Sequence, residues 1–157
     1  SGQDLSYFDE ETKERYAPCV IEPSVGVERI AFALLCDAYH EDKDRTILKF
    51  HPKIAPIKVA VFPLLANKPD LVKLARKVYG ELKEDFTVAW DDRGNIGKRY
   101  YSQDEIGTPY CITVDFDSLE KNDVTVRDRN TMKQERIKIA DLPQHLFKLL
   151  NFKLLNF

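Results

Sequence analysis

The pattern that most restricts the fold is an alternation of short apolar runs and amphipathic stretches between residues 55 and 116. The apolar runs predict strands at 57–62, 87–90 and 110–116, because runs of this length suit buried strands. Helical patterns separate them at 69–82 and 96–106. Pro69 stands at the predicted start of the first helix, where its missing N–H costs nothing. A strand–helix–strand–helix–strand order predicts a sheet with helices on its faces.

Two further strands and a terminal helix complete this prediction. Residues 123–128 and 134–139 are predicted to form a hairpin, and residues 140–157 a helix. The predicted fold class is therefore α/β, with a five-stranded mixed sheet flanked by about three helices. The chain ends in a repeat, FKLLN at 147–151 and again at 152–156. Its five-residue period does not match a helix, and we assign it no function.

The first 45 residues form a separate block. Segments 5–8 and 16–21 are strand-like, and residues 30–39 form a helix that is apolar on nearly every side, so we expect it to be buried. Residues 1–45 carry a net charge of −6 and residues 46–157 one of +4. The change of sign favours a boundary near residue 45, with 46–54 as a linker and 55–157 as a second domain.

Composition and spacing argue against several functions. No apolar run reaches the ~20 residues that span a bilayer, so we expect no membrane contact. Cys19, Cys36 and Cys111 lie in apolar stretches without metal-like spacing and are expected to be small buried hydrophobes. The pair Asp91–Asp92 follows a predicted strand and is more typical of a turn or a salt bridge than of a Mg²⁺ site. No metal site is predicted.

Residues 21–29, IEPSVGVER, lie where a strand-like segment meets a helix. Glu22 and Ser24 offer acceptors for a small ammonium group, and Arg29 offers a guanidinium near free N–H groups at a helix start, which suits a phosphate. A plain structural interpretation is equally open, in which Pro23 ends the strand and Ser24 or Gly26 starts the helix.

The predicted helix 96–106 has its charges in the unfavourable order. Lys98 and Arg99 lie in its first turn and Asp104 near its end, against the helix dipole. Because the helix follows the end of a strand, where open α/β sheets bind ligands, these basic residues with Arg93 and Tyr100 are candidates for RNA contact. The alternative is a solvated helix whose charges pair with their neighbours.

The predicted hairpin adds further basic side chains. Arg127 and Arg129 flank Asp128 with the spacing of one strand face. They are candidates for RNA contact, and an internal ion-pair network is an equally good interpretation.

Several segments together resemble one family. Residues 21–29 resemble motif 3 of class II aminoacyl-tRNA synthetases, in the form found in glycyl-tRNA synthetases, and residues 7–16 resemble the stretch before it. Segments of the second block resemble the anticodon-binding domain of the same family, at 55–61, 96–100, 104–107, 113–117 and 126–129. The resemblance covers about residues 5–142 with its motifs in order, and the sequence after Leu146 departs from it.

The resemblance implies a C-terminal part of a glycyl-tRNA synthetase: a strand–helix end of the catalytic domain (1–45), then a linker (46–54) and an anticodon-binding domain (55–157). The implied glycine contacts are Glu22, Ser24 and Gly26, and the implied ATP contacts are Gly26, Glu28 and Arg29. The RNA candidates become tRNA contacts of the second domain: Arg93, Lys98, Arg99, Tyr100, Arg127 and Arg129.

The implied full enzyme is a homodimer that joins glycine to tRNA-Gly with ATP and Mg²⁺. The resemblance implies a cytoplasmic enzyme and leaves a mitochondrial form open. Motifs 1 and 2 are absent from this chain, so we expect an inactive monomer without a bound cofactor. One alternative is a non-catalytic nucleic-acid-binding module such as a polymerase accessory subunit. A flavodoxin-like domain is less favoured, because residues 63–67 form no phosphate-cradling loop.

Overall fold

The computed structural model describes residues 2–42 and 45–150. The chain divides into two compact units, residues 1–31 and 32–157. The first unit contains a short antiparallel pair of strands, β1 (Tyr7–Phe8) and β2 (Arg15–Tyr16). Tyr7 and Tyr16 pack edge to face with ring centroids 6.0 Å apart. Both strands are shorter than predicted, and residues 17–26 have no regular structure.

Helix α1 runs from Val27 to Ala38, as its apolar sequence predicts, but the expectation that it is buried is wrong. Phe32 is 69% exposed and Leu35 46%, and Ala38 is the one buried residue of the helix. An apolar helix is covered only where neighbours surround it. Among the described residues, Ala38 finds such neighbours in Phe50 and Ala55.

The segment after α1 forms a hairpin that the sequence does not predict. Strands β3 (Tyr39–Asp42) and β4 (Arg45–Leu48) pair antiparallel, so the expected linker 46–54 contains most of β4. Phe50 and Ala55 within and after that segment are buried. The domain boundary near residue 45 stays a prediction.

The second unit is built on the predicted five-stranded mixed sheet. Its strands are β5 (Val59–Pro63), β6 (Val88–Trp90), β7 (Tyr110–Val114), β8 (Asp123–Asp128) and β9 (Gln134–Lys138). The order across the sheet is β6-β5-β7-β8-β9. The β5, β6 and β7 strands are parallel, whereas β8 and β9 continue the sheet antiparallel. This arrangement confirms the predicted fold class.

Four helices belong to this sheet: α2 (Pro69–Leu82), α3 (Ile96–Ile106), α4 (Phe116–Lys121) and α5 (Leu142–Leu149). The α2 and α3 bounds agree with the prediction, whereas α4 lies partly in the predicted third strand. A 3₁₀ turn at Ile139–Asp141 precedes α5. The second FKLLN copy, 152–156, lies outside the described residues.

The sheet is covered on both faces. One face packs against α2 and α5, and its core includes Val61, Ile112, Leu71 and Leu146. On the other face, Ala60, Phe62 and Cys111 meet the partly buried Ile96 and Tyr100 of α3. Cys111 is buried as expected, but Cys19 and Cys36 are exposed, which corrects their assignment as buried hydrophobes.

Candidate nucleic-acid interface

The carboxyl ends of β5, β6 and β7 meet at one edge of the sheet, the usual ligand position in open α/β folds. An open cavity of about 450 Å³ lies over this edge, and a second of about 210 Å³ shares Leu64 and Ile96 with it. We call the two together the edge groove. Its walls contain six polar side chains besides Arg99 and two threonines: Asn67, Asp92, Asn95, Tyr100, Asp115 and Gln134.

Helix α3 begins at this groove. The Asn95 backbone is extended, and its Oδ1 accepts a hydrogen bond from the Lys98 N–H at 2.8 Å, which caps the helix. The side chains of Arg93 and Lys98, which flank Asn95 and Ile96, are exposed. Arg93 makes an ion pair with Asp91, Nε to Oδ1 3.3 Å, while 90% of its side chain is exposed. Both cations are therefore accessible to an anionic ligand.

Arg99 does not fit its predicted RNA contact, because it is only 2% exposed. Its guanidinium donates to four backbone oxygens: Pro63 (2.6 Å), Gly94 (2.8 Å), Arg93 (3.0 Å) and Asp92 (3.2 Å). These carbonyls belong to the end of β5 and the loop after β6. Arg99 therefore shapes the floor of the edge groove and has no free face for phosphate.

Tyr100 lies between the core and the groove. Its ring packs edge to face on Phe62 with centroids 5.7 Å apart, and its hydroxyl lies 2.5 Å from Thr113 Oγ1. The Arg127 guanidinium lies 4.7 Å from its ring centroid. Burial raises the pKa of the Tyr100 hydroxyl. The half-buried ring lines the smaller cavity, so part of its surface faces the groove.

The buried positions of Arg127 and Arg129 correct their assignment as RNA contacts. Arg127 binds Asp104 through two hydrogen bonds, of 2.9 and 3.0 Å. Arg129 is 1% exposed and donates to the carbonyls of Gly107 (2.6 Å) and Phe50 (2.7 Å). The internal network that the sequence left open is the arrangement that the structure contains.

Sequence reasoning missed the fourth member of this network, Arg45. Its Nη1 donates to Asp104 Oδ2 at 2.7 Å, and its Nη2 to Asp42 at 3.2 Å. Asp104 is fully buried and thus serves two arginines from different strands. These ion pairs therefore explain why Asp104 lies near the C-terminal end of α3, where the helix dipole disfavours an acid. They connect β4 and β8 to the helix.

Arg136 on β9 organises a second charged cluster beside the groove. Its guanidinium binds Asp115 (2.8 and 3.1 Å) and Asp123, and lies 3.8 Å from Asp117. Burial raises the pKa of Asp115, but its bonds from Arg136 and Ser118 outweigh this and hold that pKa below its usual value. Hydrogen bonds from Arg136 lower the pKa of Asp123. The sequence signal for this cluster is the capping box at Asp115 and Ser118.

The motif 3 residues lie in the first unit. Glu22, Ser24 and Gly26 belong to the irregular stretch, and Glu28 and Arg29 to the first turn of α1. All five are exposed. Their glycine and ATP contacts stay predictions.

The described residues, 2–42 and 45–150, contain no group of three or more His, Cys, Asp or Glu arranged to hold a metal ion. Within the same residues, no helix has both the length and the apolar character that crossing a membrane requires.

Comparison with known proteins identifies the class to which this unit belongs. The profile of the family described as the anticodon binding domain matches residues 58–149, more than half of the chain. The chain therefore belongs to the anticodon-binding-domain family.

Several curated relatives share one name, glycine–tRNA ligase. The glycine–tRNA ligases of Lachnospira eligens and Lachnoclostridium phytofermentans are 58% and 54% identical to the chain, over 90% and 97% of its length. That of Clostridium acetobutylicum is 52% identical over 93%. The chain spans about a third of the length of these relatives, 31–33%.

A solved structure supports the assignment. The prolyl-tRNA synthetase of Cryptosporidium parvum, complexed with L-proline and AMP, superposes with a TM-score of 0.62 at 28% identity. The match covers 71% of this chain and 25% of that one. The relatives do not favour the polymerase accessory subunit.

Proposed function

We propose that the chain is the C-terminal part of a glycyl-tRNA synthetase and that its second unit binds the anticodon region of tRNA-Gly. The observation that carries this proposal is the family match over residues 58–149, which covers the whole sheet. The name of the relatives, glycine–tRNA ligase, is the basis for proposing glycine as the amino acid.

The edge groove is the proposed anticodon contact. An anticodon loop presents unpaired bases, and proteins read such bases by stacking and by hydrogen bonds to their edges. The groove offers both, through the partly accessible Tyr100 ring and the polar side chains Asn67 and Gln134. Arg93 and Lys98 beside it supply exposed cations for the phosphates.

In the full-length enzyme, glycine is bound by Glu22, Ser24 and Gly26, and ATP by Gly26, Glu28 and Arg29. A carboxylate and a hydroxyl suit the glycine ammonium group, and a guanidinium in the first turn of a helix suits phosphate. Mg²⁺ accompanies ATP. The full enzyme is a cytoplasmic homodimer, and this chain alone is a monomer.

This chain alone does not activate glycine, since it lacks motifs 1 and 2 and spans about a third of its relatives. ATP–pyrophosphate exchange measures this step. No glycine-dependent exchange is expected from the purified chain, and measurable exchange would overturn the statement.

The anticodon contact is tested by fluorescence anisotropy with tRNA-Gly and a non-cognate tRNA at two salt concentrations. Wild-type chain is expected to prefer tRNA-Gly, and Lys98→Glu is expected to weaken binding and reduce its salt dependence. Lys53→Glu is the matched control, because Lys53 is exposed and precedes the opposite, amino end of β5. Equal loss in both variants contradicts a contact at the groove.

A further inference from the structure

The edge strand β6 carries the one tryptophan of the chain, Trp90, and an arginine is stacked on its ring. The Arg76 guanidinium carbon lies 3.7 Å from the Trp90 ring centroid, within cation–π distance. Arg76 comes from α2, and its side chain is 53% exposed. The arrangement lies at the surface, at the edge of the sheet that β6 forms.

The stacked guanidinium donates no hydrogen bond to any of the described residues, 2–42 and 45–150. Among the described residues its nearest acidic partner is Asp92, whose Oδ2 lies 4.0 Å from Arg76 Nη2, beyond hydrogen-bond distance. The same oxygen accepts a hydrogen bond from Trp90 Nε1 at 3.1 Å. The guanidinium therefore stacks on the ring, and within the described part of the chain it pairs with Asp92 but donates no hydrogen bond. A planar, pre-oriented fork of donors suits two phosphate oxygens.

The same face of α2 continues this pattern. Tyr79 packs edge to face on Trp90 at 5.8 Å, and the Lys83 ammonium lies 6.0 Å from the Tyr79 ring centroid. Steps of three and four residues place Arg76, Tyr79 and Lys83 on one helix face. Residues 68–83 carry five basic residues against two acidic ones, so this helix is locally basic in a chain of net charge −2. We call Arg76, Tyr79, Lys83 and Trp90 the α2 basic face.

This face is continuous with the edge groove. Asp92 lines the larger cavity and accepts the Trp90 hydrogen bond. Arg93, one residue further on, is an exposed cation. A ligand that enters the groove and extends beyond it along β6 thus meets Arg93 and then Arg76.

We propose that the α2 basic face binds the phosphodiester backbone of the tRNA helix next to the anticodon loop, with Arg76 and Lys83 as the phosphate contacts. This rests on the proposed function, since the groove must hold the loop for the adjoining helix to pass over α2. Trp90 and Tyr79 position the two cations and read no base.

The test uses the whole 157-residue chain and tRNA-Gly labelled for anisotropy. The double variant Arg76→Gln/Lys83→Gln is expected to bind tRNA-Gly about tenfold more weakly for each lost contact. The slope of log K against log salt should fall by about 0.7–0.9 for each. Arg76→Lys keeps the charge but loses the stacked fork, so its affinity should lie between wild type and Arg76→Gln. Lys77→Gln is the matched control, because Lys77 is paired with Glu81 and faces Leu74 and Leu119.

Trp90 emission gives an independent readout, as it is the only tryptophan. Titration with tRNA-Gly should change this emission with the midpoint seen by anisotropy, and the change should shrink in Arg76→Gln. If tRNA-Gly binds while the double variant matches wild type and the emission is constant, the α2 basic face is not an RNA contact. If the wild-type chain binds no tRNA, the proposed function fails instead.

Discussion

At the residue scale, the charges that the sequence singles out are divided between surface and interior. Arg93 and Lys98 reach solvent, whereas Arg99, Arg127 and Arg129 are each at most 4% exposed and donate to the protein itself. The sequence identifies the basic residues but not the carbonyls around them, because those carbonyls come from distant loops. Only the packed fold separates groove cations from structural ones.

Asp104 should be the most sensitive of the buried charges. Asp104→Asn removes the carboxylate that neutralises Arg45 and Arg127, and both guanidiniums stay buried. We expect a loss of about 3–5 kcal/mol in the free energy of unfolding, measured by urea titration. Glu81→Gln, in an exposed pair with Lys77, should change it by less than about 0.5 kcal/mol. Similar small losses in both would show that the network contributes little.

The Arg136 cluster predicts an acid dependence of stability. The pKa values of Asp115 and Asp123 are lowered from 3.8 in the folded state, so their contribution is complete above about pH 4. It is lost as the pH falls through the lower, folded pKa values. The urea midpoint should therefore fall more between pH 7 and pH 3 in wild type than in Arg136→Gln. Lys77→Gln is the control and should retain the wild-type pH dependence; equal slopes in all three would refute the cluster's role.

At the scale of elements, the buried strands and long helices follow from the sequence. The α3 bounds agree with the predicted 96–106, and the apolar face of α2 is buried as its spacing indicates. Helix α4 was missed because its six residues are too few for a periodic signal. The β3–β4 hairpin was missed because β3, Tyr39–Asp42, is polar and exposed.

Gly107, at the end of α3, is a glycine that the structure requires. Its φ is +83°, and an added Cβ would lie 2.5 Å from Phe50 Cδ2 and 2.9 Å from the Leu48 oxygen. Gly107→Ala should therefore cost at least about 2 kcal/mol of unfolding free energy.

Gly80 within α2 provides the opposite case. Nothing lies within 4 Å of an added Cβ, so Gly80→Ala should stabilise the chain by about 0.5–1 kcal/mol. Thermal or urea unfolding of the two variants checks both signs. If Gly107→Ala and Gly80→Ala changed the free energy of unfolding equally, the contact between β4 and α3 at Gly107 would be loose in solution.

At the scale of the whole molecule, the chain combines a covered sheet with an uncovered N-terminal helix. Val27 is 77% exposed and Phe32 69%, although the sequence of α1 is that of a buried helix. The chain spans about a third of the length of its relatives. The local pattern predicts α1 correctly, but burial depends on residues that need not belong to the same segment.

The central claim is that the second unit recognises the glycine anticodon. The most direct measurement is anisotropy of the chain with a non-cognate tRNA into which the anticodon loop of tRNA-Gly has been transplanted. The unmodified non-cognate tRNA serves as the control at the same salt concentration. The account predicts that the transplanted loop raises affinity to nearly that of tRNA-Gly, and that Lys98→Glu weakens binding of both tRNAs to a similar degree, because Lys98 is a phosphate contact. No gain from the transplanted loop would contradict anticodon recognition by this unit.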